Sequence, residues 1–278
     1  MAGPIFDTHA HYTADAFDAD RDALLASLPE KGIVGICEQS TSSADAAAAV
    51  AMAHQYPFVW AAVGIHPESL LPKGSCPDEM LAPTITRFGG DWRAEMRALR
   101  PLYEDERVVA VGECGMDFHW PVPRDAQLEM FEAHIRLALE LDKPIIVHDR
   151  EAHAEVYALL KKYQPKGIVH CYSGSGEDAA WLTAQGMYLG FGGACTWKGA
   201  KRALKSIDAA PLDKILLETD CPYMAPDGFR GQRCDSSMLT RVSEVIAARK
   251  GTTPDAIYHI TEENARRVFR IPSGGTNL

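Results

Sequence analysis

The sequence predicts a (β/α)8 TIM barrel, formed as a single domain over residues 1–271 with a short tail at 272–278. Three observations predict it. Short apolar runs recur eight times along 278 residues. The stretches between them carry helix signals. The apolar runs are nearly continuous, not alternating, as expected of parallel strands covered by helices. An open doubly wound sheet is the alternative, but no Gly-rich nucleotide loop follows the first run, which weakens it.

The elements follow in order. The apolar runs are Pro4–Phe6, Gly32–Cys37, Phe58–Gly64, Val108–Gly112, Pro144–Val147, Gly167–Val169, Met187–Phe191 and Ile215–Leu217. Among the connections, Ser43–His54 is Ala-rich, a good helix composition. Prolines at 72, 77 and 83 and the Gly89–Gly90 pair break up the next connection. It reads as an irregular loop plus one helix around Asp91–Tyr103. Arg124–Leu141 has apolar residues at helical spacing, and Ser236–Lys250 and Thr253–Phe269 are similar. Thr253–Pro254 supplies an N-cap followed by proline at the first helical position.

Composition narrows the function. Hydrophobic residues make up 46% and charged residues 24%, which excludes a disordered or collagen-like chain. No apolar run approaches the ~20 residues of a membrane span. The N-terminus MAGPIFDTHAH lacks the basic and apolar regions of a signal peptide. Seven cysteines without a CxxC spacing do not form a disulfide framework. A cytoplasmic location with reduced thiols is expected. Cys114, Cys171 and Cys221 each follow a metal-type residue and are expected to pack behind it. The formal charge of −10 argues against broad coating of nucleic acid.

The ends of the apolar runs carry the chemistry. The first ends in Asp7-Thr8-His9-Ala10-His11, the fourth in Gly112-Glu113-Cys114-Gly115-Met116-Asp117, the fifth in His148-Asp149-Arg150, the sixth in His170-Cys171-Tyr172-Ser173-Gly174, and the eighth in Glu218-Thr219-Asp220. In a (β/α)8 barrel these ends converge on one face, where active sites sit. His9, His11, Glu113, His148, His170 and Asp220 are therefore the expected metal ligands. His9 and His11 are two apart and share a strand face. Six ligands exceed the needs of one tetrahedral ion, so two divalent ions are expected, with a carboxylate such as Glu113 bridging. Such a pair supplies a metal-bound hydroxide as nucleophile and clamps the attacking and leaving oxygens. Mg, Mn or Zn suits the mixed ligand set. His54, His119, His134, His153 and His259 are taken as packing or surface residues. His66, before Pro67, suits a site-lining role as well as a loop role.

The pieces FDTHAH, VGIHP, VGECGMDF, PIIVHDR, GIVHCYSGS, LLETDCPYMAP, RGQR and NARRVF occur in that order from Ile5 to about Ile271. Together they resemble the TatD family of metal-dependent deoxyribonucleases, within the amidohydrolase superfamily. The resemblance implies hydrolysis of DNA phosphodiester bonds at a metal centre, of 3′–5′ exonuclease type. It places the ligands on the same six residues. It makes Glu113 the bridge and gives Asp220 the further role of orienting or deprotonating the attacking water. The expected partner is DNA, as single strands or 3′ ends, with no membrane and no obligate protein partner. The chain departs from the family where Cys234-Asp235-Ser236 follow Arg233, a place that commonly holds Asn-Glu-Pro. The segment Leu71–Arg100 is also longer than usual.

Arg150, Arg230, Arg233 and His66 are the expected substrate contacts, since guanidinium forks suit phosphate oxygens. Tyr223, Trp197 and Phe229 offer rings for base stacking. Glu218 is expected to support the site from behind. Two alternatives keep the barrel. One is a metal-dependent ester or amide hydrolase, for example on an aminoacyl ester of tRNA or a small cyclic amide. The other is a non-enzymatic metal-binding protein, which six ligands at a barrel mouth disfavour.

Overall fold

A computed structural model describes residues 3–70 and 88–272. Its strands are β1 (Ile5–Ala10), β2 (Ile33–Gln39), β3 (Val59–Val63), β4 (Val108–Asp117), β5 (Ile145–Arg150), β6 (Gly167–Val169), β7 (Tyr188–Phe191) and β8 (Ile215–Leu217). They join one sheet in chain order. Helices alternate with them: α1 (Arg21–Ser27), α2 (Ala46–Gln55), α3 (Trp92–Leu99), α4 (Arg124–Glu140), α5 (His153–Tyr163), α6 (Gly176–Ala184), α7 (Lys201–Ala209), α8 (Leu239–Lys250) and α9 (Pro254–Phe269). The fold is a (β/α)8 TIM barrel. Each strand overlaps the apolar run that predicted it, and α3 falls inside 91–103. Most of the Leu71–Arg100 segment and the tail beyond Pro272 lie outside the described residues.

The chain forms two compact units, Met1–Cys37 with Cys171–Leu278, and Glu38–His170. In the first, β7 and β8 pair in parallel from Leu189↔Ile215 to Phe191↔Leu217. Just past β8, Cys221 bridges Ala10 at the end of β1. Helix α9 packs on β1 through the rings of Phe6 and Phe269, whose centroids are 5.9 Å apart. Thr253 caps α9 by accepting the Ala256 N–H, and Pro254 opens the helix where no N–H is needed. Ser175 and Asp178 form a reciprocal capping box on α6.

In the second unit β3, β4, β5 and β6 are parallel neighbours. β4 runs five residues beyond its apolar run, through Glu113, Gly115 and Asp117, and is buried throughout. The extension is possible because Gly115 has no side chain. A Cβ there would lie 2.0 Å from the backbone oxygen of His148 on β5. Close approach of β4 and β5 therefore requires glycine, and hydropathy does not report it.

Candidate metal centre

In the first unit, three side chains from the ends of β1 and β8 meet. His9 Nε2 and His11 Nε2 are 3.3 Å apart. Asp220 Oδ1 lies 3.3 Å from His11 Nε2 and 3.6 Å from His9 Nε2. Backbone bonds set the register: the Asp220 N–H donates to His9 O, and the His11 N–H to Cys221 O. Asp220 adopts a left-handed φ of 60°, which an Asp tolerates better than most residues.

Behind this trio sits Asp7, fully buried. Its carboxylate accepts from the His9 N–H (3.2 Å), the Thr219 N–H (3.0 Å), Thr219 Oγ1 (2.7 Å) and Ser236 Oγ (2.7 Å). Burial pushes its pKa up to about 6, against the pull of these hydrogen bonds. Asp7 thus ties the first strand to the segments on both sides of Asp220. Sequence reading passed over it. The available signal was parity, since Asp7, His9 and His11 alternate with small or apolar neighbours.

In the second unit, Glu113 Oε1 is 2.7 Å from His170 Nε2, 3.0 Å from His148 Nδ1 and 3.5 Å from His66 Nε2. His148 Nδ1 and His170 Nε2 are 3.3 Å apart. The rings of His66 and His148 meet edge to face at 4.3 Å between centroids. Asp117, at the end of the fourth run but not among the expected site residues, accepts from His148 Nε2 at 3.0 Å. Burial would lower the His148 pKa, but the bonds to Asp117 and Glu113 outweigh it and raise it to about 10. His66, buried beside His148, is pushed down to about 3.

The donor chemistry fits divalent metal. In the trio of His9, His11 and Asp220, and in that of His66, Glu113 and His148, the ligand atoms all lie within 4.8 Å of one another. A proton bridges only two such lone pairs at once. A cation can accept three, and imidazole with carboxylate is the donor mixture that Zn or Mn takes. The second trio brings in His66, whose place before Pro67 suits a loop role as well as a site-lining one.

The expected substrate residues are placed as follows. Arg150 is exposed, with its guanidinium 5.8 Å from the Trp120 ring centroid. Arg230 is exposed and stands 4.7 Å over Trp197, whose Nε1 donates to Ala225 O. Arg233 makes two 2.7 Å bonds to Asp20 and donates to Ala16 O, so its fork is used within the chain. The Tyr223 ring lies 6.4 Å from that of His11. Buried Glu218 accepts the Cys171 N–H, next in sequence to His170. Cys114 and Cys221 are fully buried, and Cys171 is partly exposed. The six cysteines among the described residues are free thiols. His54, His119, His153 and His259 pair with surface or neighbouring carboxylates.

A (β/α)8 barrel with imidazole–carboxylate clusters at its strand ends defines the class of metal-dependent hydrolases. The chain belongs to the TatD related DNase family, whose profile matches residues 6–270. It is 37% identical over 271 residues to YabD of Bacillus subtilis, an uncharacterized metal-dependent hydrolase, covering 96% of this chain and 99% of that one. It is 29% identical over 280 residues to the 3′-5′ ssDNA/RNA exonuclease TatD of Erwinia billingiae, covering 97% and 100%. Among solved structures, YJJV of Escherichia coli K12, a TatD homologue, superposes with a TM-score of 0.83 at 28% identity, covering 96% and 98%. No helix among the described residues is long and apolar enough to cross a membrane.

Proposed function

We propose that this metal-dependent hydrolase is a 3′–5′ exonuclease acting on single-stranded DNA in the cytoplasm, using two divalent ions of Mg, Mn or Zn. The observation that carries the proposal is the pair of trios, each offering imidazole and carboxylate to one point. The name of the Erwinia billingiae relative supports the substrate and extends it to RNA. His9, His11, Glu113, His148, His170 and Asp220 are the proposed ligands, with Glu113 as bridge. Bound divalent ions supply Lewis-acid polarisation of a phosphoryl oxygen and a more acidic water.

The chain's own groups do the rest. Asp220, partly exposed and held by the His9 carbonyl through its own N–H, orients the attacking water and takes its proton. Arg150 and Arg230 present forks to phosphate oxygens from two exposed positions. Arg233 must exchange Asp20 for phosphate to join them. His66, kept neutral by burial, accepts or donates a hydrogen bond at the edge of its trio.

The test is direct. Protein stripped by chelator is given back Mg²⁺, Mn²⁺ or Zn²⁺ and mixed with 5′-labelled single-stranded DNA. Stepwise shortening from the 3′ end is expected with at least one metal. Asp220→Asn should lower kcat by about 10²-fold or more. Absence of cleavage with every metal, alongside turnover of a carboxylic ester, an aminoacyl ester or a cyclic amide, would overturn the nuclease proposal.

A further inference from the structure

The His148 ring has two nitrogens, and the structure gives them different neighbours. Nδ1 faces Glu113 Oε1 at 3.0 Å and His170 Nε2 at 3.3 Å. Nε2 faces Asp117 Oδ2 at 3.0 Å. Asp117 is fully buried. Its second oxygen is occupied, accepting the N–H groups of His119 (2.9 Å) and Trp120 (3.3 Å). The carboxylate can therefore neither rotate away nor give up its partner without leaving backbone donors unmet.

Asp117 is itself held from α4. Gln127, fully buried, accepts the Asp117 N–H through Oε1 at 2.7 Å. Its Nε2 donates to Asp117 O at 2.8 Å and to Val122 O at 3.2 Å. One side-chain amide thus pins the backbone of Asp117 from both sides. The resulting chain of contacts runs from Gln127 to Asp117 to His148, and ends at Glu113 and His170.

We propose that Asp117, locked in place by Gln127, is the positioning residue that holds a proton on His148 Nε2 and leaves Nδ1 to the metal. A histidine ligand commonly donates its other ring N–H to a carboxylate, which fixes the tautomer and raises ligand basicity. The proposal rests on the reading that Glu113, His148 and His170 hold a metal. It adds the atom through which His148 binds and the two residues that decide it. Neither Asp117 nor Gln127 is among the proposed ligands or substrate contacts.

The experiment uses the full chain, zinc and two readouts other than turnover. Zinc affinity is measured by competition with a chromophoric chelator for wild type, His148→Ala and Asp117→Asn. Asparagine keeps one oxygen for the His119 and Trp120 N–H groups, so the metal-free fold should persist, as a melting curve would show. Asp117→Asn should weaken one zinc site about 10- to 100-fold and leave the other, at His9, His11 and Asp220, unchanged. Independently, ¹⁵N-histidine spectra of zinc-loaded wild type should show His148 with a proton on Nε2 and a metal-shifted Nδ1. That measurement needs no variant and stands even if Asp117→Asn does not fold. Wild-type zinc affinity in Asp117→Asn, or a His148 proton on Nδ1, would overturn the proposal while the metal site survives. Wild-type affinity in His148→Ala would instead remove the metal reading itself.

Discussion

His134 uses both ring nitrogens and does so only while neutral. Its Nδ1–H donates to Met130 O at 2.8 Å, and its Nε2 accepts the Ile65 N–H at 3.2 Å. Burial pushes its pKa down to about 4, against the pull of the Met130 carbonyl. An unfolded histidine titrates near 6.5. Between these values the unfolded chain binds a proton that the folded chain refuses. The contribution is thus complete above pH 6.5 and is lost as pH falls to about 4. At about 1.4 kcal/mol per pH unit, roughly 2 kcal/mol disappears between pH 6.5 and 5. Urea midpoints should therefore fall more steeply with acidification in wild type than in His134→Gln. Parallel pH profiles would refute this. His134 is thus one of the five histidines expected to pack or lie at the surface, and it packs.

At the scale of elements, apolar runs located all eight strands, but hydropathy alone does not mark how far some extend. β1 and β4 continue past their runs into His9 and into Glu113–Asp117. Those extensions are buried yet polar, and their burial comes from neighbouring strands, which periodicity cannot report. The six proposed ligands stood out because metal chemistry uses few residue types. Asp7 and Asp117 did not, because a carboxylate that only orients others has no signature of its own. Gly115 shows the same limit, since only the closeness of β5 explains it. Gly115→Ala should destabilise the protein by about 1–3 kcal/mol through overpacking against the His148 backbone. The melting temperature should drop by several degrees, and zinc affinity at the His148 cluster should fall with it. An unchanged melt would show that β4 can shift without cost.

For the molecule as a whole, the formal charge of −10 sets the style of substrate binding. A protein that coats a duplex makes 6–10 phosphate contacts and loses affinity steeply with salt. Here Arg150 and Arg230 are the exposed forks proposed for phosphate, while Arg233 is paired with Asp20. Two contacts to a single strand imply a slope of log affinity against log salt of about −1.4. Fluorescence anisotropy with labelled single-stranded DNA and metal-loaded Asp220→Asn protein would measure it. Arg150→Gln should reduce the slope by about 0.7. A slope steeper than about −4, or tight metal-free binding to long duplex, would contradict a short local grip.

The hydrogen bonds of Asp7 reach 212 residues to Thr219 and 229 residues to Ser236. Those separations order events during synthesis. A ribosome that has released the first 200 residues has delivered His9 and His11 but not Thr219, Asp220 or Ser236. By contrast, Glu113, His148, His170 and His66 all lie within one contiguous stretch and emerge well before Asp220. The proposed ligands within Glu38–His170 are therefore all made before Asp220, whereas the trio of His9, His11 and Asp220 must wait for residue 220. Each polypeptide passes through an interval in which it carries five of the six proposed ligands, and a premature stop between His170 and Asp220 leaves it there.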